Sequence, residues 1–251
     1  MNLELISIEI TNRCDKACSF CYNHSAPGGE TRWSADEIDR LTTDCALHGV
    51  RAVSFGGGEP LQHPQLGEML DRSRGKLFRS VTTNGLLLDG KIGTLAAARP
   101  DKVHVSIHFP DRSHEVDRVI RQVGELESRG VRSGINFLVR RSGLEAARDA
   151  AARVRASGIG NDRIVYLPMR GADTPAPDEM GSVAGSTRFQ SMSCLMACGR
   201  SPRFCSIAWD RSVAWCSYTA TRRPLPSLRH AGLVGCLENL GLAFCGGTDA
   251  A

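Results

Sequence analysis

The chain alternates short apolar runs with longer stretches patterned for helices. The runs at 3–10, 51–55, 77–82, 103–108, 131–139 and 163–168 predict strands. Helical periodicity at 34–48, 64–74, 89–98, 113–129 and 143–157 fills the gaps between them. Ser34 with Glu37 predicts a capping box, and Ser142 ahead of Gly143 predicts the start of the last long helix. Gly49, Gly130 and Gly158 fit helix C-terminal stops. Strand–helix alternation predicts βαβ units around a parallel sheet. Six units are too few for a closed eight-stranded barrel. The expected fold class is therefore α/β, a partial (β/α)6 barrel.

Within the strands the pattern is two-sided. Side chains alternate across a strand, so Val103, Val105 and Ile107 share one side while His104, Ser106 and His108 share the other. Ser80, Thr82 and Asn84 fall together, as do Gly134, Asn136 and Arg140 opposite Ile135, Phe137 and Val139. A parallel strand covered on both faces is nearly all apolar, and these are not. The apolar sides are expected to face the helices. The polar sides are expected to line a ligand-binding lumen, since buried polar groups need partners. A solvated sheet face is the alternative.

With 251 residues the chain can hold one large domain, or a medium domain with an annex. A net charge of +4 without a basic block argues against a nucleic-acid partner. MNLELISIEI lacks a targeting pattern, and no stretch is long and apolar enough to span a bilayer, so a cytoplasmic chain with no membrane partner is expected. Near residue 170 the pattern changes. Gly171–Gly185 reads as a linker or loop, and the residues divide into domains at 1–170 and 171–251. A hairpin is expected at 204–218 with Asp210-Arg211 at its tip.

Ten cysteines in a reducing compartment point to metal ligation or catalysis rather than disulfides. Cys14, Cys18 and Cys21 cluster, Cys45 stands alone, and six fall between 194 and 245. The spacing C-x3-C-x2-C supplies three thiolates, where an iron–sulfur cluster normally takes four and a closed zinc site takes four. One metal position is thus left open; a zinc site completed by His24 is the alternative. Gly56-Gly57-Gly58-Glu59-Pro60 follows the second strand, with glycines that allow close backbone approach and a carboxylate that can accept from an ammonium group.

Taken together, Cys14-x3-Cys18-Ser19-Phe20-Cys21, Gly57-Gly58-Glu59-Pro60 and Thr83-Asn84-Gly85 resemble the radical S-adenosylmethionine (SAM) superfamily over about residues 1–168. The resemblance implies a [4Fe–4S] cluster on the three cysteines, with SAM chelating the fourth iron. It implies that Glu59 and the Gly57–Gly58 backbone hold the amino group. Asn84, Ser106 and Asn136 would serve the ribose and carboxylate, Leu167 would flank the adenine, and Phe20 sits beside the cofactor. Ser106-Ile107-His108-Phe109 departs from the family's Ser-Leu-Asp-Gly, which leaves the role of His108 open. The implied chemistry is reductive cleavage of SAM to a 5′-deoxyadenosyl radical that takes hydrogen from substrate, with a reductant such as flavodoxin or ferredoxin.

The segment from Cys198 to Cys216 resembles the start of the auxiliary-cluster region called SPASM or, when shorter, twitch, with Arg211 in place of the tip glycine. This implies a small C-terminal domain with one auxiliary [4Fe–4S] cluster on Cys198, Cys216, Cys236 and Cys245. Cys194 and Cys205 are reserves, and a turn at Asp210-Arg211 would set Cys205 opposite Cys216. Zinc is the alternative at this pole. Cys45 is expected to be a buried apolar residue, and Trp209 and Trp215 to pack the hairpin against the barrel. The expected activity is oxidation of a small polar substrate, as in small twitch-type dehydrogenases of aminocyclitol biosynthesis. His108, with His104 beside it, is the candidate for substrate contact. One alternative is a sugar epimerase with Cys194 or Cys205 as hydrogen donor. Another is a peptide-modifying maturase, a class that usually carries a preceding domain, which this chain, beginning at its first strand, is expected to lack. A zinc-binding interaction protein is the last.

Overall fold

Strand β1 (Leu5–Thr11) shows how the pattern becomes structure: Ile6, Ile8 and Ile10 are fully buried on one side, and Ser7, Glu9 and Thr11 alternate with them on the other. The computed structural model describes residues 1–186, 192–196 and 198–242. After β1 come α1 (Ala35–Leu47), β2 (Ala52–Gly57), α2 (Leu66–Arg72), β3 (Phe78–Thr83), α3 (Leu88–Ala97), β4 (Lys102–Ile107), α4 (Ser113–Ser128), β5 (Ser133–Val139), α5 (Leu144–Ala156) and β6 (Ile164–Pro168). Every expected strand and helix forms here, with bounds within two residues of those expected. The strands belong to one open, mostly parallel sheet, as a partial barrel requires. No described helix is long and apolar enough to cross a membrane.

The described chain divides into two compact units. The first holds Met1–Val103 with the described residues from Arg200 on; the second holds His104–Gly199. In the first, β1 pairs in parallel with β2 on one edge and with β7 (Phe204–Ile207) on the other, and β2 pairs with β3. Strands β8 (Ser212–Ala214) and β9 (Arg223–Pro224) extend it antiparallel, and α8 (His230–Leu237) follows. The register aligns Ser206, Ser7, Ser54 and Ser80 across four strands, and sets Glu9 beside Gly56. Val53, Phe55 and Val81 continue the apolar side, and Ile38, Leu41, Met69 and Leu70 of α1 and α2 are buried with them.

The second unit carries β5 and β6 in parallel register, with Asn136 beside Val165 and Leu138 beside Leu167. Phe137 and Tyr166 are buried together, ring centroids 5.7 Å apart. The Tyr166 hydroxyl accepts from Arg155 Nη1 at 2.9 Å and donates to Asn161 Oδ1 at 3.0 Å.

Helix boundaries obey local chemistry in most places. Ser34 and Glu37 form the capping box, Ser34 Oγ accepting from the Glu37 N–H and Glu37 accepting from the Ser34 N–H. Gly49, Gly130 and Gly158 take positive φ after their helices. Ser34→Ala is expected to cost about 1 kcal/mol, read as a shift of the urea midpoint at unchanged slope.

Three expectations need correction. Ser142 does not cap α5; Gly143 holds that position, and Ser142 bonds to Asp173 instead, Oγ to Oδ2 at 2.8 Å. The supposed linker Gly171–Gly185 contains helix α6 (Pro177–Ala184), begun by Pro177, with Glu179 accepting from the Ala176 N–H, and stopped by Gly185 at φ +64°. Helix α7 (Met192–Met196) follows.

The third correction concerns the hairpin. Ser206 pairs with Ala214 and Ile207 with Val213, so Cys205 falls opposite Trp215, not Cys216. The loop is one residue longer than expected: Ala208 N–H bonds to Ser212 O, and Arg211 N–H returns to Ala208 O. Such three-residue loops end on a left-handed residue, and Arg211 fills that place at φ +70°. Its guanidinium holds the conformation by donating to Arg32 O at 2.9 Å, pairing with Glu37 at 2.6 Å and lying 5.5 Å from the Trp33 ring.

Candidate active site

The segment bearing Cys14, Cys18 and Cys21 leaves the end of β1 and is zipped at its base. Cys14 N–H donates to Ala26 O, Ala26 N–H to Asn12 O and Asn12 N–H to Glu30 O. Asn12 Oδ1 accepts from the Glu30 N–H at 2.6 Å, and Thr11 Oγ1 donates to Glu30 O at 2.9 Å. Inside this closed loop, Cys21 N–H bonds to Cys18 O and His24 N–H to Cys21 O. Ala17 and His24 adopt positive φ, +45° and +49°. Non-glycine residues in that region are strained, and such strain gathers at functional loops. All three cysteines are free thiols; Cys14 is buried, Cys18 and Cys21 half-buried.

The glycine turn after β2 presses directly on that base. Gly58 N–H donates to Thr11 O at 2.7 Å and Glu59 N–H to Arg13 O at 2.8 Å. A Cβ on Gly57 would lie 2.4 Å from Thr11 O, and one on Gly58 2.2 Å from Arg13 O. Glu59 then closes the arrangement from beneath. It is 1% exposed. Its Oε1 accepts from the Leu61 N–H at 3.0 Å and Thr83 Oγ1 at 2.7 Å, and its Oε2 from the Asn84 N–H at 2.7 Å. Burial raises its pKa, and these three bonds pull against that rise. The sequence suggested a carboxylate that meets an ammonium group; in the structure its bonds brace the turns after β2 and β3. Asn84, so held, directs Nδ2 at Cys14 Sγ, 3.5 Å away.

The polar side of β1 carries residues that the motifs did not single out. Glu9 is 2% exposed, and burial pushes its carboxyl up to about 7, against the pull of Arg222 and of hydrogen bonds from Tyr22 and the Trp209 N–H. Its Oε1 is buried with no hydrogen-bond partner, and so is Arg222 Nη1. Around them, Tyr22 packs its ring 4.8 Å from that of Tyr218, and Arg222 Nη2 donates to Ser217 O at 2.8 Å. Tyr22 keeps 42% of its surface exposed, so the burial that raises its pKa acts at the hydroxyl rather than on the ring. The signal was present in the sequence: LISIEIT alternates, and its polar members are Ser7, Glu9 and Thr11.

Glu9 also makes a stability prediction. The native carboxyl holds its proton more tightly than the unfolded one, whose ordinary value is 4.5. Its contribution therefore favours folding below pH 4.5 and is lost as pH rises to about 7. Glu9→Gln is expected to remove this dependence, leaving the variant roughly 3 kcal/mol less sensitive to pH across that window. Urea titrations at pH 5 and pH 8 check it.

In the second unit, the expected SAM contacts Ser106, Asn136 and Leu167 stand on the strands β4, β5 and β6. Asn136 and Leu167 share one side of the β5–β6 pair, and Ser106 is buried. Gly134 is needed there, because a Cβ would lie 2.4 Å from Arg163 O and 3.2 Å from His104 Cδ2. His108 lies just past β4, where Glu115 Oε1 accepts from its backbone N–H at 2.7 Å. Glu115 is the second residue that the motifs missed.

Cys205 is fully buried on the Ile6 side of the sheet, and burial together with Cys45 and Cys236 drives its pKa far up. That position removes the pairing argument that kept it as a ligand. Cys45 is the buried apolar residue expected, its thiol pushed up to about 12 by burial. Cys236 is buried with Sγ 3.4 Å from Pro224 O, Cys216 accepts from the Tyr218 N–H, and Cys198 is exposed. Cys194 Sγ accepts from Arg170 Nη2 at 3.1 Å. Cys245 lies outside the described residues. Trp215 is buried and donates to Leu240 O, while Trp209 lies 4.8 Å from the Arg32 guanidinium. Among the described residues no three His, Cys, Asp or Glu side chains converge as metal ligands, either here or in the N-terminal loop.

Residues 8–174 match the model of the radical SAM superfamily. The chain belongs to that superfamily. Its relatives include a probable GTP 3′,8-cyclase of Methanopyrus kandleri, 40% identical over 107 residues, which are 43% of this chain and 35% of that protein. A GTP 3′,8-cyclase of Chlorobaculum tepidum is 33% identical over 113 residues, 44% of this chain and 34% of that one. The chain spans about a third to a half of the length of the curated relatives it matches. In fold it is similar to Streptococcus suis SuiB bound to S-adenosylmethionine, with a TM-score of 0.70 at 15% identity, covering 95% of this chain and 67% of that one. It is also similar to BtrN in complex with AdoMet and 2-DOIA, with a TM-score of 0.53 at 15% identity, covering 91% and 80%.

Radical SAM enzymes use a [4Fe–4S] cluster and SAM. The radical SAM loop of this chain fits the cluster by its donor chemistry: three free thiols on one clamped loop, with no fourth cysteine on it. The glycine turn, where no Cβ fits, brings its backbone against the base of that loop. Cys14, Cys18 and Cys21 would hold the iron, and Asn84 is already directed at one of those sulfurs. Of the four C-terminal thiols expected to hold an auxiliary cluster, Cys198, Cys216 and Cys236 are described and are free, and Cys245 lies outside the described residues.

Proposed function

We propose that this chain is a radical SAM oxidoreductase that removes hydrogen from a small polyhydroxylated substrate such as a sugar or cyclitol. The observation that carries the substrate class is the polar side of the first unit, where a row of serines leads to a buried carboxylate with an unpartnered oxygen. When bound, the cluster and SAM would supply a 5′-deoxyadenosyl radical that takes one hydrogen atom, and loss of the hydroxyl proton and of one electron to an iron–sulfur centre would complete the two-electron oxidation to the carbonyl. The chain's own part is to hold and to shield. Glu59, Thr83 and Asn84 lock the turns beneath the cysteine loop. Tyr22 and Tyr218 pack over the Glu9 side, limiting water where a radical would otherwise be quenched. Ser106, Asn136 and Leu167 are offered as the SAM contacts of the second unit, with Phe20 beside the cysteines and His108 at the mouth of β4 as a substrate contact. A reductant such as flavodoxin or ferredoxin is the implied protein partner.

A second reading, favoured by the sequence relatives, is a nucleotide cyclase-like reaction on GTP. The two are separated by anaerobic reconstitution, reduction and mass analysis of a reaction panel of hexoses, cyclitols, amino sugars and GTP. Oxidation gives a hydroxylated product lighter by two hydrogens. Unchanged mass with deuterium gained from heavy water would instead mark epimerisation, and conversion of GTP alone would overturn the proposal.

A further inference from the structure

We infer that Glu9 and Arg222 together bind one hydroxyl group of the substrate, and that this pair sets the enzyme's preference among polyols. The inference deepens the function proposed above and rests on it. Two atoms carry it. Glu9 Oε1 and Arg222 Nη1 are both buried and both lack a hydrogen-bond partner. An unpaired buried polar atom costs roughly 1–3 kcal/mol, and more if charged, so a fold that retains two, with Arg222 near enough to act on the Glu9 charge, is holding them for something else.

Their surroundings leave room for it. Glu9 is in register with Gly56 on the neighbouring strand, and parallel partners project to the same side of a sheet. A Cβ placed on Gly56 would meet nothing within 4 Å, so the strand position beside Glu9 is open on the polar side of the sheet. The contrast with Gly57 and Gly58, where a Cβ would strike backbone, shows that Gly56 is not required by packing. Below that space lie the aligned Ser7 and Ser54. The remaining bonds of Glu9, from Tyr22 and the Trp209 N–H, fix the carboxylate so that Oε1 stays directed away from them.

The chemistry of the ligand follows from the pair. Oε1 accepts and Nη1 donates, so the complementary group must both donate and accept. A hydroxyl does this with one atom. An ammonium would satisfy Glu9 and leave Arg222 unpaired, and a carboxylate or phosphate would do the reverse while facing Glu9. Asp210, which also acts electrostatically on Glu9 and Arg222, adds negative charge and makes an anionic ligand less welcome. The pair therefore selects a neutral hydroxylated carbon.

The test uses the reconstituted, reduced enzyme and reads 5′-deoxyadenosine release driven by myo-inositol and by each of its monodeoxy analogues. A site built to bond a hydroxyl strongly rejects the analogue that lacks it. In the wild type, one monodeoxy analogue is expected to show a KM at least about tenfold above that of inositol. Glu9→Gln and Arg222→Met are each expected to raise the inositol KM and to bring that analogue within about twofold of it, since the lost partner no longer distinguishes them. Purely structural damage would lower activity on both compounds and leave their ratio intact. A ratio retained in both variants overturns the inference while leaving the proposed function standing. Saturable stimulation by GTP but by no cyclitol overturns both, and absence of any 5′-deoxyadenosine from the wild type sinks the proposed function itself.

Discussion

Alanine in place of Cys14, Cys18 or Cys21 is expected to abolish SAM cleavage, with activity down by more than about a hundredfold and the iron of the N-terminal cluster lost. The three thiols sit on a loop clamped by backbone bonds at 12–14 and 26–30, so the rest of the fold does not depend on them. Stability of the apo protein should therefore change little for Cys18→Ala and Cys21→Ala, whose side chains are half-buried. Cys14 is buried and receives Asn84, and its replacement should cost about 1 kcal/mol in addition. Iron and sulfide analysis with urea unfolding of each apo variant checks both parts. Retention of full cleavage activity in any of the three would remove that residue from the ligand set.

Gly58→Ala is expected to have the next largest effect. Its methyl would lie 2.2 Å from Arg13 O and 2.8 Å from both Arg13 C and Asn12 C. These are backbone atoms at the root of the cysteine loop, so no side chain can swing aside. Either the turn or the loop must move, breaking the bonds from Gly58 N–H to Thr11 O and from Glu59 N–H to Arg13 O. The cost is roughly 2–4 kcal/mol of stability, together with poor cluster retention. Gly56→Ala is the matched control for folding, because its methyl meets nothing within 4 Å. The urea midpoints of the two variants give the comparison: a Gly58→Ala protein as stable as Gly56→Ala would show that the turn does not press on the loop.

The barrel portion was legible because each strand repeats one simple pattern. Val103, Val105 and Ile107, or Ile135, Phe137 and Val139, are apolar at period two and buried as that pattern demands. The cysteine loop and glycine turn were legible for a different reason: their residues admit few substitutes, and the 2.2 Å approach at Gly58 shows why. The bracing bonds of Glu59 were not: three protein donors meet its carboxylate, and none of them is marked by the glycine motif.

The C-terminal segment was the least legible. Its register depends on Arg211 at a positive φ, and that conformation is held by Glu37, Arg32 O and Trp33, more than 170 residues away in sequence. One residue of register reverses every side chain on a strand, which is how Cys205 came to be expected opposite Cys216. Helix α6 was hidden by its composition, since Pro177 and Gly185 look like breakers but stand at its two ends. Glu9 was overlooked for lack of a motif. Its significance comes from burial, from the space over Gly56 and from Arg222, none of which a strand pattern displays.

The central claim is that radical SAM chemistry in this chain takes hydrogen from carbon in a small hydroxylated molecule. Incubation of the reduced, reconstituted enzyme with SAM and carbon-deuterated cyclitols or hexoses in ordinary water, followed by mass spectrometry of the released 5′-deoxyadenosine, tests it most directly. The account predicts that deuterium from a hydroxylated probe appears in the 5′-deoxyadenosine. Vigorous cleavage that leaves the 5′-deoxyadenosine unlabelled with every such probe, while ribose-deuterated GTP labels it, would contradict the account.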